Sequence, residues 1–103
     1  MYNIVLLCQY GASTGLVANK IMEAAQNRGI EVTVNAYSAS AISDVIGTAD
    51  VVLLGPQVRF RLKGLLKDYG DTGVPIAAME PVDYGRMNGE AILNTALKAI
   101  ESK

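Results

Sequence analysis

Ile4-Val5-Leu6-Leu7-Cys8, running directly into Gln9-Tyr10-Gly11-Ala12-Ser13-Thr14-Gly15, is the stretch on which the fold turns. Uncharged apolar residues in a row, bounded by turn residues, mark a strand covered on both faces, as in a parallel sheet. The small and hydroxyl-bearing residues lead into Leu16, Val17, Ile21, Met22, Ala24 and Ala25, an apolar stripe at helical spacing over about 15–28. Asn19, Lys20, Glu23 and Gln26 fall on the outward side. Ser13 or Thr14 supplies an N-cap, and Gly29 the residue past the end. A strand, a Gly- and hydroxyl-rich loop and a helix, in that order, aim several backbone N–H groups and a helix N-terminus at one point. Such a point binds phosphate and favours thiolate. Cys8 stands there as a candidate nucleophile.

The same alternation continues to the end of the chain. Uncharged, β-rich runs at 3–7, 32–36, 51–54 and 76–79 are separated by helical patterns. Leu62, Leu65, Leu66 and Tyr69 repeat at i, i+3, i+4 and i+7 and stop at Gly70; Ile92, Leu93, Ala96, Leu97 and Ile100 repeat from a start near Asn88. Ala41, Ile42, Val45 and Ile46 predict a shorter helix within 40–47. A βαβαβαβα order with right-handed crossovers predicts an α/β fold: a flavodoxin-like, doubly wound, four-stranded parallel sheet of order 2-1-3-4 with helices on both faces. Strand 1 is then central, and the switch point lies at the carboxyl ends of strands 1 and 3. Cys8 falls at that point. The connections after strands 1, 3 and 4 surround it, including Gly55-Pro56-Gln57-Val58-Arg59 and the stretch 80–89.

Composition narrows the chemistry. With 103 residues, half of them apolar, one domain over residues 1–103 is expected. The apolar runs are too short to span a bilayer, so a cytoplasmic location is expected. One cysteine forms no internal disulfide and no Cys-x-x-Cys pair, and the absence of histidine removes Ser-His and Cys-His dyads and His-metal sites. No metal or cofactor is expected, and any histidine chemistry must come from a partner. A net charge of −1 argues against nucleic acid as a partner. Five of the nine basic residues, Arg59, Arg61, Lys63, Lys67 and Arg86, nonetheless lie between positions 59 and 86. They form either a solvated helix face or a docking patch, for which Arg59, Arg61 and Arg86 are the candidates.

A loop cysteine before a phosphate-cradling loop also occurs in low-molecular-weight tyrosine phosphatases, whose motif places Arg six positions after the cysteine. Here Thr14 holds that position. Without a guanidinium, no bidentate cation clamps the phosphoryl oxygens during transfer to water, which disfavours a phosphatase-like hydrolase. Asp83 lies where such enzymes keep an Asp general acid, and it reads equally as a turn residue. A flavodoxin-like binding module is a further alternative, but with no Trp and one Phe, Tyr10 and Tyr84 would have to flank a flavin ring. Gln57 and Tyr84 each have two readings. They reach the crevice, or Gln57 caps the next helix and Tyr84 packs.

Cys8-Gln9-Tyr10-Gly11-Ala12-Ser13-Thr14, Ala49-Asp50-Val51-Val52-Leu53-Leu54-Gly55-Pro56-Gln57 and Tyr84-Gly85-x-x-Asn88-Gly89 together resemble the IIB component of the phosphoenolpyruvate-dependent sugar phosphotransferase system, lactose/chitobiose/cellobiose class. The resemblance extends over essentially the whole chain. It implies transient phosphorylation of Cys8 and a phosphate cradle formed by Gln9, Tyr10, Gly11, Ala12, Ser13 and Thr14. It also implies a phosphohistidine donor, the IIA component, and an acceptor sugar, a β-disaccharide such as chitobiose, cellobiose or lactose, held by the membrane-embedded IIC component. The chain would then associate peripherally with that permease. Tyr10 is the one bulky side chain in the loop, placed either to shield the phosphate or to face solvent.

Overall fold

Strands β1 (Tyr2–Cys8), β2 (Val32–Ser38), β3 (Val51–Leu54) and β4 (Ile76–Ala78) form one parallel sheet in the order β2-β1-β3-β4, as the sequence predicts. The computed structural model describes residues 1–8 and 14–102. Helices α1 (Thr14–Asn27), α2 (Ile42–Val45), α3 (Leu62–Tyr69), α4 (Pro81–Gly85) and α5 (Gly89–Glu101) complete it, with 3-10 turns at Ala39–Ala41, Ile46–Thr48, Pro56–Arg61 and Gly70–Thr72.

Two apolar layers lie on opposite faces of the sheet because successive strand residues point to opposite sides. Ile4, Leu6, Val51 and Leu53 pack with Val17, Ile21 and Ala25 of α1 and Ile92, Leu93 and Ala96 of α5. Val5, Leu7, Val52 and Leu54 pack instead with Ile42, Ile46, Val58 and Leu65. These eight strand side chains are almost wholly buried, which explains the uncharged runs of β1 and β3. Strand β2 departs from the expectation of cover on both faces: Thr33 and Asn35 are exposed while Val34 is buried. As an edge strand, Val32-Thr33-Val34-Asn35-Ala36 carries the alternation of a half-covered strand.

Helix α1 ends as its sequence requires. Gly29 takes φ +70, its N–H donates to Gln26 O (3.1 Å), and the N–H of Ile30 donates to Ala25 O (2.9 Å). This paired closure satisfies carbonyls the helix itself leaves free, and the left-handed residue suits glycine. Leu16, assigned to the buried stripe, is instead 59% exposed, because it lies in the first turn, beyond the reach of α5. Leu66 of α3 is likewise exposed. The helix expected over 40–47 is a single α-turn between two 3-10 turns, anchored by Ile42 and Ile46.

At the amino edge of the sheet, Asn3 links three strands' worth of chain. Its N–H donates to the Asp50 carboxylate (2.7 Å), its side-chain amide to Thr48 O (2.7 Å), and its Oδ1 accepts from the Thr33 hydroxyl (3.0 Å). Register fixed there determines which residues meet at the opposite, carboxyl edge.

Candidate functional site at the carboxyl edge

Cys8 is the last residue of β1 and is 3% exposed. Its register neighbour on β2 is Ser38, and the next position beyond β3 is Gly55. The ladder continues past the strands on this side: Gly55 N–H donates to Leu7 O (2.7 Å), and Met79 N–H to Leu54 O (2.8 Å). The connections after β1, β3 and β4 therefore leave the sheet at adjacent points around Cys8, the crevice geometry of a doubly wound sheet.

Gly55 is required here by space rather than by backbone angle. Its φ is −65, which any residue can adopt. A Cβ at this position would stand 3.3 Å from Cys8 Cβ, 3.4 Å from Leu7 O and 2.9 Å from Gln57 Oε1. The bare backbone of Gly55 thus forms one wall against the cysteine. Beside it, Ser38, Ala39 and Ser40 face Gln57, Val58, Phe60 and Arg61 across an open groove of about 250 Å³. Ser38 caps the turn it enters, accepting from Ser40 N–H at 3.5 Å, and its hydroxyl lies 3.1 Å from that of Ser40.

Of the remaining phosphate-loop candidates, Gln9, Tyr10, Gly11, Ala12 and Ser13 lie outside the described residues. Thr14 opens α1, so the helix starts one position before its expected first residue, with its N-terminus toward the carboxyl edge. Arg59 and Arg61 are exposed on the Pro56–Arg61 turn, and Arg86 is the exposed cap residue of α4. The first two share one connection, whereas Arg86 belongs to the connection beyond β4. Gln57 is exposed and lines the groove, while Tyr84 packs against the α1–α5 layer. Asp83 lies in the first turn of α4, and its carbonyl accepts from Asn88 N–H at 2.9 Å. Among the described residues no cluster of His, Cys, Asp and Glu has a metal-binding arrangement, and no helix is long and apolar enough to cross a membrane.

Two features of the site escaped the sequence reading. Helix α4 has only five residues, too few for an apolar repeat, although Pro81 after Glu80 is a first-turn signal. The pairing of Cys8 with Ser38 depends on β2 running two residues further than 32–36, through Tyr37 and Ser38.

The profile of the family described as "PTS system, Lactose/Cellobiose specific IIB subunit" matches residues 3–95. The chain is 37% identical over 98 residues to the cellobiose-specific EIIB component of Lactococcus lactis, covering 90% of this chain and 91% of that protein. The solution structure of a cellobiose-specific IIB component from Borrelia burgdorferi superposes with a TM-score of 0.81 at 38% identity, covering 99% of this chain and 94% of that one. The lactose-specific IIB domain from Streptococcus pneumoniae superposes with a TM-score of 0.84 at 25% identity over 95% and 96% of the two chains. The match in profile, sequence and strand order means that this chain belongs to the lactose/cellobiose-specific IIB subunits, phosphotransferases of the sugar-transporting phosphotransferase system.

Proposed function

We propose that Cys8 is the phosphoryl carrier of a sugar phosphotransferase system. A phosphohistidine on a IIA component donates to it, and a sugar held by a membrane IIC component accepts from it. The observation that carries this reading is the position of the chain's one cysteine, at the carboxyl end of the central strand between Ser38 and the bare backbone of Gly55. With no histidine among these 103 residues, the donor's imidazole has to lie outside them.

In the first step the thiolate sulfur attacks phosphorus in line; the S–P bond forms as the P–N bond breaks, and the leaving imidazole takes up a proton. In the second step a sugar hydroxyl attacks phosphorus, its O–P bond forms as the S–P bond breaks, the hydroxyl loses its proton, and the thiolate returns. Transfer of this kind depends on positioning and on stabilising charge at the phosphoryl oxygens. The backbone N–H groups of Gln9–Thr14 and the start of α1 are assigned that task, with Ser13 and Thr14 adding hydroxyl donors. The absence of Arg at position 14 supports storage of the phosphoryl group over its release to water. Arg59, Arg61 and Arg86 are assigned to partner docking. The chain works at the cytoplasmic face of the permease, and the names of its relatives support a β-linked disaccharide such as cellobiose or lactose as the acceptor.

The test is intact-mass measurement after incubation with the phosphorylated IIA partner. Wild type gains one phosphate, mapped to Cys8. Cys8→Ser supports no sugar phosphorylation, because a serine hydroxyl is far less ionised than a thiol at neutral pH and these 103 residues hold no histidine to activate it. Phosphate on any other residue, or full coupled activity in Cys8→Ser, refutes the assignment.

A further inference from the structure

Exposed large apolar side chains are not scattered evenly over the described residues. Met1 precedes β1 and Tyr2 begins it at the amino edge, and Leu66 lies on α3, but Leu16, Phe60, Val82 and Met87 all sit on connections that leave the carboxyl edge. Leu16 (59% exposed) is in the first turn of α1, Phe60 (79%) on the turn after β3, and Val82 (58%) in the first turn of α4 after β4. Among the described residues, each of the connections after β1, β3 and β4 thus presents at least one large apolar side chain to solvent. Apolar groups exposed along one edge of a sheet, with charge beside them, mark a protein-docking surface.

The charge is on one side. Arg59 and Arg61 flank Phe60, Lys63 follows, and no acidic residue occurs from Gly55 to Lys67. On the β4 side, Glu80 and Asp83 outweigh Arg86. The basic turn starts at Gly55, the residue whose missing Cβ would touch Cys8. We propose that Phe60 is the apolar anchor on which the phosphohistidine-bearing donor docks, with Arg59 and Arg61 complementing its anionic phosphoryl group. This rests on the phosphocarrier reading above. Charge selects the donor as the occupant: it arrives carrying a phosphoryl group with roughly two negative charges, whereas the sugar offered by the permease is neutral. After transfer the same charge resides on Cys8 and offsets the two guanidinium groups of the turn, which favours departure of the discharged donor.

The test measures the rate of phosphoryl loading of the full chain from the phosphorylated IIA protein by quenched intact-mass spectrometry, across donor concentration and at low and high salt. Phe60→Ala lowers kcat/KM at least tenfold through KM, as truncation of a central aromatic anchor does, with an unchanged melting curve. The Arg59→Ala/Arg61→Ala double variant loads more slowly at low salt and loses most of the salt dependence. Leu66→Ala, exposed but away from the edge, loads like wild type. Wild-type loading kinetics in Phe60→Ala overturn the docking proposal while leaving the carrier assignment intact. So does normal loading of Phe60→Ala with impaired permease-coupled sugar phosphorylation, which gives the surface to the permease. Failure of wild type to load from phosphorylated IIA overturns the carrier reading and the docking proposal with it.

Discussion

Replacing Gly89 with alanine tests how closely α1 and α5 are packed. A Cβ on Gly89 would overlap the backbone carbonyl of Lys20 and lie 2.8 Å from Ile21 N, so the obstacle is main chain, which has no rotamer to yield. Restoring ordinary contact requires the start of α5 to move outward by about 1 Å, a gap that forfeits about a quarter to a half of the dispersion well of each pair it separates. The pairs at stake include Val17, Ile21 and Ala25 against Ile92, Leu93 and Ala96, all of them buried. Overpacking costs about 1–3 kcal/mol where side chains can adjust, and a backbone obstacle belongs at the upper end. Alanine's better helix propensity returns up to about 1 kcal/mol. The expected net loss is about 2–3 kcal/mol. At about 4–5 °C per kcal/mol for a domain of this size, the melting midpoint falls by about 10 °C. Urea unfolding followed by circular dichroism measures the loss directly, and an unchanged m-value confirms that only stability has moved. Gly64→Ala is the contrasting variant: apart from its chain neighbours and its own helix backbone, nothing lies within 4 Å of the added Cβ, and it sits within α3. It gains about 0.5–1 kcal/mol from propensity. A loss below about 0.5 kcal/mol for Gly89→Ala, within the range of ordinary surface substitutions, would refute the packing argument.

Asn88→Ala removes the side-chain oxygen that accepts from Ala91 N–H at 3.1 Å at the start of α5, and denaturant unfolding should show a loss of about 1 kcal/mol. Gly29→Ala forces a Cβ onto a residue held at φ +70, so the same assay should report a loss of about 1–2 kcal/mol although nothing lies near the added atom. Gly55→Ala pushes on Cys8 Cβ from 3.3 Å while Gln57 can turn aside. Its stability should drop by no more than about 1–2 kcal/mol, yet its loading from phosphorylated IIA should slow at least tenfold, since displacements well under 1 Å matter in transfer geometry; equal loading would detach Gly55 from the site.

Strand order was legible because burial on both faces writes itself as uncharged sequence: Ile4–Leu7 and Val51–Leu54 admit no other placement. Caps were legible for the same local reason, with Gly29 and Asn88 found where the helices end and begin. Side-chain exposure at helix ends was not. Leu16 and Leu66 satisfy the helical period, but whether a neighbour covers them depends on how far α5 and the sheet extend, which no local pattern records. Within the site, Cys8 was identified by what precedes and follows it in the chain. Its lateral neighbours Ser38 and Gly55 come from other strands, so only the register reveals them.

Because β1 lies between β2 and β3, the first strand of the chain is completed only when β3 docks, and β3 in turn only when β4 does. Its ladder pairs Ile4 with Val34 on one side and Val51 on the other. Each closure costs roughly 3 kcal/mol of chain entropy before the contact repays it, and such non-local pairing slows folding. Until β3 docks, the Gly55 backbone is not beside Cys8, and the thiol remains open to solvent and to electrophiles. Covering of this flank of the nucleophile therefore follows the docking of β3, and pulsed alkylation of this single thiol serves as a clock for that step.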